Sequence, residues 1–404
     1  MNAKVRFPLP EGFHCWLENE LARFCSISSA SDDPQGVAAM AHAYGAALAE
    51  AGLAVGREEH GGREVLVALA PEASPPYTLV VGHLDTVLPA GPVRREGGRL
   101  FGTGSVDMKG GLVALLGALQ LLRENRTPWP RNLAALAVPD EESSGTASRA
   151  AMAAWGPKAE RVLVVEPGEA RNGRETLVLG RKGMAEFRLQ VRGVAAHSGL
   201  AFHDGRSAAL AAARFVAESQ RLIASGRTVN VARMVVGDHA FVADLPRQAH
   251  LLASSQRLNV VPDAATVVGE FRFPEEDEGE ALADALQALT KSLSRELGVT
   301  MELTLGQWVA PVDARAGLSL AERAKDLAKV LELELEVETC RGGISLSNFL
   351  ARPELPVLDG LGPVGGGMHT PEEFVDLASL HKRTQLLAML LATLGEGNGE
   401  SSGK

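Results

Sequence analysis

The chain opens on two stretches whose apolar residues recur every three or four positions. LENELARFCSI and GVAAMAHAYGAALAEAGL each carry the stripe of an amphipathic helix, the second ending at Gly52. The period then changes. REVLVALAP and YTLVVGHLD are short runs rich in strand-forming residues and bounded by Pro or Gly. GGLVALLGALQLLREN returns to helical length and period, and NLAALAVPD and RVLVVEPG are further apolar strand candidates. Apolar strands alternating with helices predict an α/β domain with a mostly parallel sheet covered by helices on both faces.

From about Thr176 the pattern differs. The strand MAEFRLQVRG and the long Ala-rich helix GRSAALAAARFVAESQRLIASG are followed by three strand candidates, TVNVARMVV, HLLASSQRL and TVVGEFRFP. The helix EGEALADALQALTKSLSREL and the strand VTMELTL complete this region. Such an order predicts a ferredoxin-like α+β lid over residues 178–310, inserted into a larger domain made of 1–177 and 311–404. Past Pro311 the first style resumes with the helix LSLAERAKDLAKVLE, the strand LPVLDGLGP and the helix SLHKRTQLLAMLLATL. The tail from Gly395, GEGNGESSGK, has no apolar anchor and is expected to be disordered.

Length and composition refine this picture. A chain of 404 residues exceeds what one core usually organises, and 46% hydrophobic residues supply enough apolar surface for two. Forty basic against fifty acidic residues give a net charge of −10, which argues against nucleic acid as a partner. The N-terminus lacks the apolar stretch of a signal peptide, and later apolar runs are broken by Gly or charge. The expectation is a soluble cytoplasmic protein with no membrane partner. Cys15, Cys25 and Cys340 are odd in number and widely spaced, so three reduced thiols are expected.

The candidate chemistry lies at the ends of the apolar strands. In GHLDTV, His83 and Asp85 are two apart, so one can bind a metal while the other orients it. In GTGSVDMKGG a Gly-rich turn delivers Asp107 just before an apolar helix; the GxG has neither the third Gly of a dinucleotide fingerprint nor the GK[ST] of a P-loop. DEESSG places Asp140, Glu141 and Glu142 after a strand, where open α/β sheets put their sites. Glu166 ends RVLVVEPG, and GGGMHTPEE presents His369 on a glycine run. Each of these alone is ambiguous: a strand-end His is commonly a satisfied core residue and an acid cluster is commonly solvated. Together they supply two His and several carboxylates, a mixture that zinc accepts. Two metals about 3.5 to 4 Å apart, sharing one carboxylate, need three carboxylates and two His. Asp107, Glu142, Glu166, His83 and His369 meet that need, and Glu141 remains to take a proton from water.

These blocks, in this order, resemble the zinc exopeptidase family of glutamate carboxypeptidase, acetylornithine deacetylase, succinyl-diaminopimelate desuccinylase, aminoacylase and peptidase T. RKG, AHSG and NVVPDA extend the similarity into the lid. The resemblance implies two Zn2+, with Co2+ or Mn2+ as substitutes, bridged by Asp107. His83 and Glu166 would complete one and Glu142 and His369 the other. It also implies Glu141 as general base, Asp85 as the orienter of His83, and a cis peptide from Asp107 to Met108. His197, in AHSG, would stabilise the oxyanion, as such a residue often does in a partner subunit's site, and Arg272 would hold the substrate carboxylate. A homodimer through the lid is implied as well. The implied activity is hydrolysis of an amide bond beside a free carboxylate, by a carboxypeptidase or dipeptidase acting on a small peptide. The alternative is an N-acyl-amino-acid deacylase, and the remote alternative a non-catalytic amino-acid or peptide binder. RGGISLSNF departs from the pattern, because relatives place an Asp shortly after the glycines where this chain has Ser345, Leu346 and Ser347.

Overall fold

The strand Tyr77–His83 is buried along its whole length and takes a parallel partner on each side, Leu133–Val138 and Ala159–Val164. This computed structural model describes residues 6–143, 145–244, 259–350 and 352–396. Val357–Leu358 extends the parallel set, while Arg63–Leu69 and then Ala54–His60 add two antiparallel strands at the other edge, making six. Alternate side chains feed opposite faces, as a pleated strand requires. Leu79 and Val81 pack with Val67, Leu136 and Trp155, whereas Val80 packs with Leu66, Ala135 and Leu112. A mostly parallel sheet inside helices is therefore present, as the apolar runs predict.

Residues up to Arg181 and from Val312 form one compact unit, and Lys182–Pro311 forms a second. In the first unit the helix Lys109–Glu124 has buried residues all round and packs on Leu377–Glu396. Its start approaches the sheet closely enough that a Cβ on Gly111 would lie 1.8 Å from the Val165 carbonyl oxygen. Only glycine fits there. That close approach brings the turn holding Asp107 down to the strand end that holds Glu166.

The second unit is a four-stranded antiparallel sheet in the order Thr228–Gly237, Ala264–Phe273, Gly183–Arg192, Thr300–Val309. With the helices Ala208–Ser219 and Glu276–Leu297, this is the β-α-β-β-α-β arrangement of a ferredoxin-like fold. Gly183–Arg192 shows why its sequence alternates: Ala185, Phe187, Leu189 and Val191 are buried, and Glu186, Arg188, Gln190 and Arg192 are exposed.

The structure also holds elements that the periodicity does not reveal, among them the strands Ala54–His60 and Arg174–Val178 and the helix Thr146–Trp155. The helix Leu377–Glu396 continues two residues past Leu394, so the tail begins later than its composition indicates. The strand candidate HLLASSQRL and the rest of the tail lie outside the described residues. Cys15 and Cys25 are free thiols.

Candidate metal centre

Four connections at one end of the sheet bring the acidic and imidazole groups of the first unit together. His83 is the last residue of its strand, and its Nε2 lies 3.3 Å from Asp107 Oδ1 and 3.8 Å from Glu166 Oε1. The other oxygen of Asp107, Oδ2, lies 3.4 Å from His369 Nε2, which is also 3.2 Å from Glu142 Oε2. One carboxylate thus faces two histidines, one through each oxygen. His83, Glu141 and Glu166 bring ligating atoms within 4.8 Å of one another, as do His83, Asp107 and Glu142. The peptide from Asp107 to Met108 is cis.

The supports are as specific as the site. His83 Nδ1 lies 2.9 Å from the Asp85 carbonyl oxygen and 3.4 Å from the Asp85 carboxylate, so both the main chain and the side chain of Asp85 orient the ring. The same carboxylate accepts the backbone N–H groups of Glu141 and Glu142, at 3.1 and 3.2 Å, and the Ser31 hydroxyl at 2.7 Å. Asp85 therefore fixes the acidic loop as well as the histidine. His369 has a φ of 64°, a left-handed conformation that a residue with a side chain adopts only where its surroundings impose it. Asp140 points elsewhere: it accepts from the backbone N–H groups of Ala147 and Ser148, at 3.1 and 2.8 Å, and serves the first turn of Thr146–Trp155.

Crowding sets the electrostatics. Burial pushes the Glu141 carboxyl up to about 7, with the Asp107 and Asp85 carboxylates adding to the effect against His83. Burial likewise raises Glu142 to about 8, and it raises Glu166 well above the ordinary range. Burial works against a charged His83, yet hydrogen bonds to Asp107 and Asp85 outweigh it and push this group up. The hydrogen bond to Asp107 raises His369 to about 9. Asp107 is held low, against its burial, by His369 and His83. Protons on carboxyls and imidazoles here balance an excess of buried anionic groups. Divalent cations would do the same with the same oxygen and nitrogen donors, so the donor set fits such ions.

His197 and Arg272 lie in the second unit. His197 is exposed, and its Nδ1 accepts the backbone N–H groups of Gly199 (3.1 Å) and Leu200 (3.2 Å). The neutral ring therefore carries its proton on Nε2 and can donate from there. Arg272 is half-buried and engages Glu270 through Nε (2.9 Å) and Nη2 (3.3 Å). In the first unit, the loop that lacks the anticipated acid joins a buried network built on an ion pair. Ser345 Oγ lies 2.7 Å from Ser347 Oγ and from Asp359 Oδ2, and Arg181 Nε donates to that same Asp359 oxygen at 2.7 Å. Asp359, Arg181 and Glu373 are buried charged residues near the site to which sequence reasoning assigned no role. Asp359 follows the apolar run LPVL, a signal of the same kind as those at His83 and Glu166.

Residues 79–393 match the sequence profile of Peptidase family M20/M25/M40. The chain belongs to this family. It is accordingly a metal-dependent hydrolase of amide bonds. Carboxypeptidase G2 of Pseudomonas sp. (strain RS-16) is 28% identical over 388 residues, covering 93% of this chain and 89% of that protein. Succinyl-diaminopimelate desuccinylase of Variovorax paradoxus (strain S110) is 28% identical over 334 residues, covering 77% of this chain and 81% of the relative. Among solved M20 structures, the Bacillus subtilis YXEP protein, described as a dinuclear metal binding peptidase, superposes with a TM-score of 0.70 at 15% identity. That match covers 96% of this chain and 99% of the other. No helix among the described residues is long and apolar enough to cross a membrane.

Proposed function

We propose that this M20 enzyme removes a C-terminal amino acid from a small peptide or peptide-like substrate, with Glu141 as general base. What supports the reading above all is Asp107, whose two oxygens face His83 and His369 at 3.3 and 3.4 Å. Two zinc ions, or cobalt or manganese in their place, would be held by His83, Asp107 and Glu166 on one side and by Asp107, Glu142 and His369 on the other. When bound they would polarise the scissile carbonyl and acidify the attacking water. Glu141, beside His83 and Glu166 but not required as a ligand, takes the proton from that water as it attacks and passes it to the leaving amine. Asp85 keeps the His83 ring and the Glu141–Glu142 backbone aligned through this exchange.

In the same reading residues 1–177 and 311–404 are the catalytic domain, and residues 178–310 are a lid that also joins two chains into a cytoplasmic homodimer. His197 donates from Nε2 to the developing oxyanion. Arg272 exchanges Glu270 for the substrate carboxylate. Light scattering on the purified protein reads the assembly directly, with a single-chain mass removing the homodimer.

N-acyl-amino-acid deacylation is the second reading, favoured by the similarity to the desuccinylase. Both chemistries use the same residues, so substrate choice separates them. The zinc-loaded protein is assayed on dipeptides and folyl-glutamate-type amides against N-acetyl and N-succinyl amino acids. Turnover confined to the first set supports the carboxypeptidase reading, and turnover confined to the second replaces it with the deacylase. Metal uptake with no hydrolysis of either set leaves a non-catalytic binder and removes both.

A further inference from the structure

Glu373 is a buried carboxylate that neither chemistry uses. It is 4% exposed, and its oxygens accept three backbone N–H bonds, from Gly104 at 2.8 Å, Val106 at 3.0 Å and Asp107 at 3.0 Å. All three donors belong to the turn between the strand Arg99–Phe101 and the helix Lys109–Glu124, the turn that presents Asp107. Converging N–H groups stabilise a buried anion, which in return fixes the backbone that carries them. The main chain adds to the grip. Gly102 N–H donates to the Glu373 carbonyl at 3.0 Å, and Phe374–Asp376 pairs antiparallel with Arg99–Phe101.

Glu373 also lies four residues after His369. The segment between them is a closed turn, with the Thr370 N–H donating to the Gly367 carbonyl at 3.1 Å and the Glu373 N–H to the Thr370 carbonyl at 3.2 Å. One side chain therefore ties the loop carrying His369 to the turn carrying Asp107. His83, by contrast, is fixed by the ladder of the central sheet, and Glu166 sits two residues beyond the strand Ala159–Val164.

We infer that Glu373 is a positioning residue acting most on the cation position made by Asp107, Glu142 and His369, two of whose ligands it ties together, and less on the position made by His83, Asp107 and Glu166, of which it fixes Asp107 alone. The inference rests on the two-cation reading above. Its consequence is an asymmetry: loosening the clasp weakens the cation held by His369 and Glu142 more than the one held by His83 and Glu166, which a general loss of folding would not do.

The test is a calorimetric titration of metal-stripped full-length protein with Zn2+, with bound metal counted after dialysis. Wild type takes up two equivalents. Glu373→Gln keeps the shape but turns an NH2 group toward backbone donors. It is expected to bind one equivalent roughly 10- to 100-fold more weakly and the other with a clearly smaller loss, with an unchanged circular dichroism spectrum. Glu372→Gln, at the exposed neighbour paired with Arg94, is the control and keeps both equivalents. Should Glu373→Gln fail to fold, Glu373→Asp, which keeps the charge on a shorter arm, is titrated in the same way. Two equivalents bound as in wild type, or equal weakening of both in a folded variant, overturns the inference. A wild-type protein that binds fewer than two equivalents removes the two-cation reading itself, and the inference with it.

Discussion

DEESSG places three acids side by side, and the backbone assigns each a different task. Asp140 turns back to the helix that follows, Glu142 faces His369, and Glu141 stands against His83 and Glu166. Asp85 accepts from both the Glu141 and the Glu142 amides, so the loop cannot rotate to exchange these roles without breaking those bonds. Glu141→Gln keeps the size of the side chain and its hydrogen-bonding capacity but removes its ability to take a proton. It is expected to lower kcat by roughly 10²- to 10⁴-fold, the usual contribution of a general base, while binding the full metal complement. Steady-state rates beside metal analysis check this, and near-normal turnover in the variant would remove Glu141 from the mechanism. The adjacent Asp140→Ala is expected to behave in the opposite way. Loss of its three bonds, from the Ala147 and Ser148 backbone N–H groups and the Ser148 hydroxyl, costs about 0.5 to 2 kcal/mol of stability in denaturant unfolding, with metal content unchanged.

Among the elements, what burial imposes on a sequence decides what can be read from it. YTLVVGH, LAALAV and AERVLV are buried on both faces, so their composition announces strands and places His83 and Glu166 at their ends. Ala54–His60 is an edge strand with mostly exposed positions, and AVGREEH carries no alternation that would distinguish it from a loop. The helix Thr146–Trp155 is alanine-rich and only ten residues long, and its buried stripe of Ala147, Ser148, Ala151, Met152 and Trp155 is too short to stand out in TASRAAMAAW. At the candidate site, the gathering of His83, Asp107, Glu142, Glu166 and His369 was legible because each ends or follows a strand or a glycine-rich turn. Glu373 was not, because an acid in the run PEE reads as solvated surface until the fold folds three amides over it. Gly111 is a further case, a glycine in an apolar helix whose reason is a carbonyl 1.8 Å from where its Cβ would be. Gly111→Ala must push Lys109–Glu124 away from Val165 and carry Asp107 with it. It is expected to cost about 1 to 3 kcal/mol in denaturant unfolding and to weaken metal binding. Unchanged stability would show that the helix and the strand end are not in contact there.

At the scale of the whole molecule, the charges of the site couple folding to metal and to pH. With no metal bound, the folded-state values of Glu141 (about 7), Glu142 (about 8) and His369 (about 9) all lie above their ordinary values, as do those of Glu166 and His83. A raised group favours the folded state fully below its unfolded value and loses that contribution as pH rises through its folded value. Asp107 is lowered, so its contribution is present above its ordinary value of 3.8 and is lost only in stronger acid, outside this window. The metal-free protein should therefore lose stability steadily from about pH 5 to about pH 9. Bound cations reverse the trend, since they replace those protons and bind more tightly as the ligands deprotonate. The difference in Tm between zinc-loaded and chelator-treated protein is accordingly expected to widen as pH rises across that range, and scanning calorimetry at several pH values reads it. A difference that stays constant or narrows would mean that the raised carboxyls and imidazoles are not the groups that hold the metal. The same data would then count against the assignment of His83, Asp107, Glu142, Glu166 and His369 as a set, whatever the activity of the loaded enzyme.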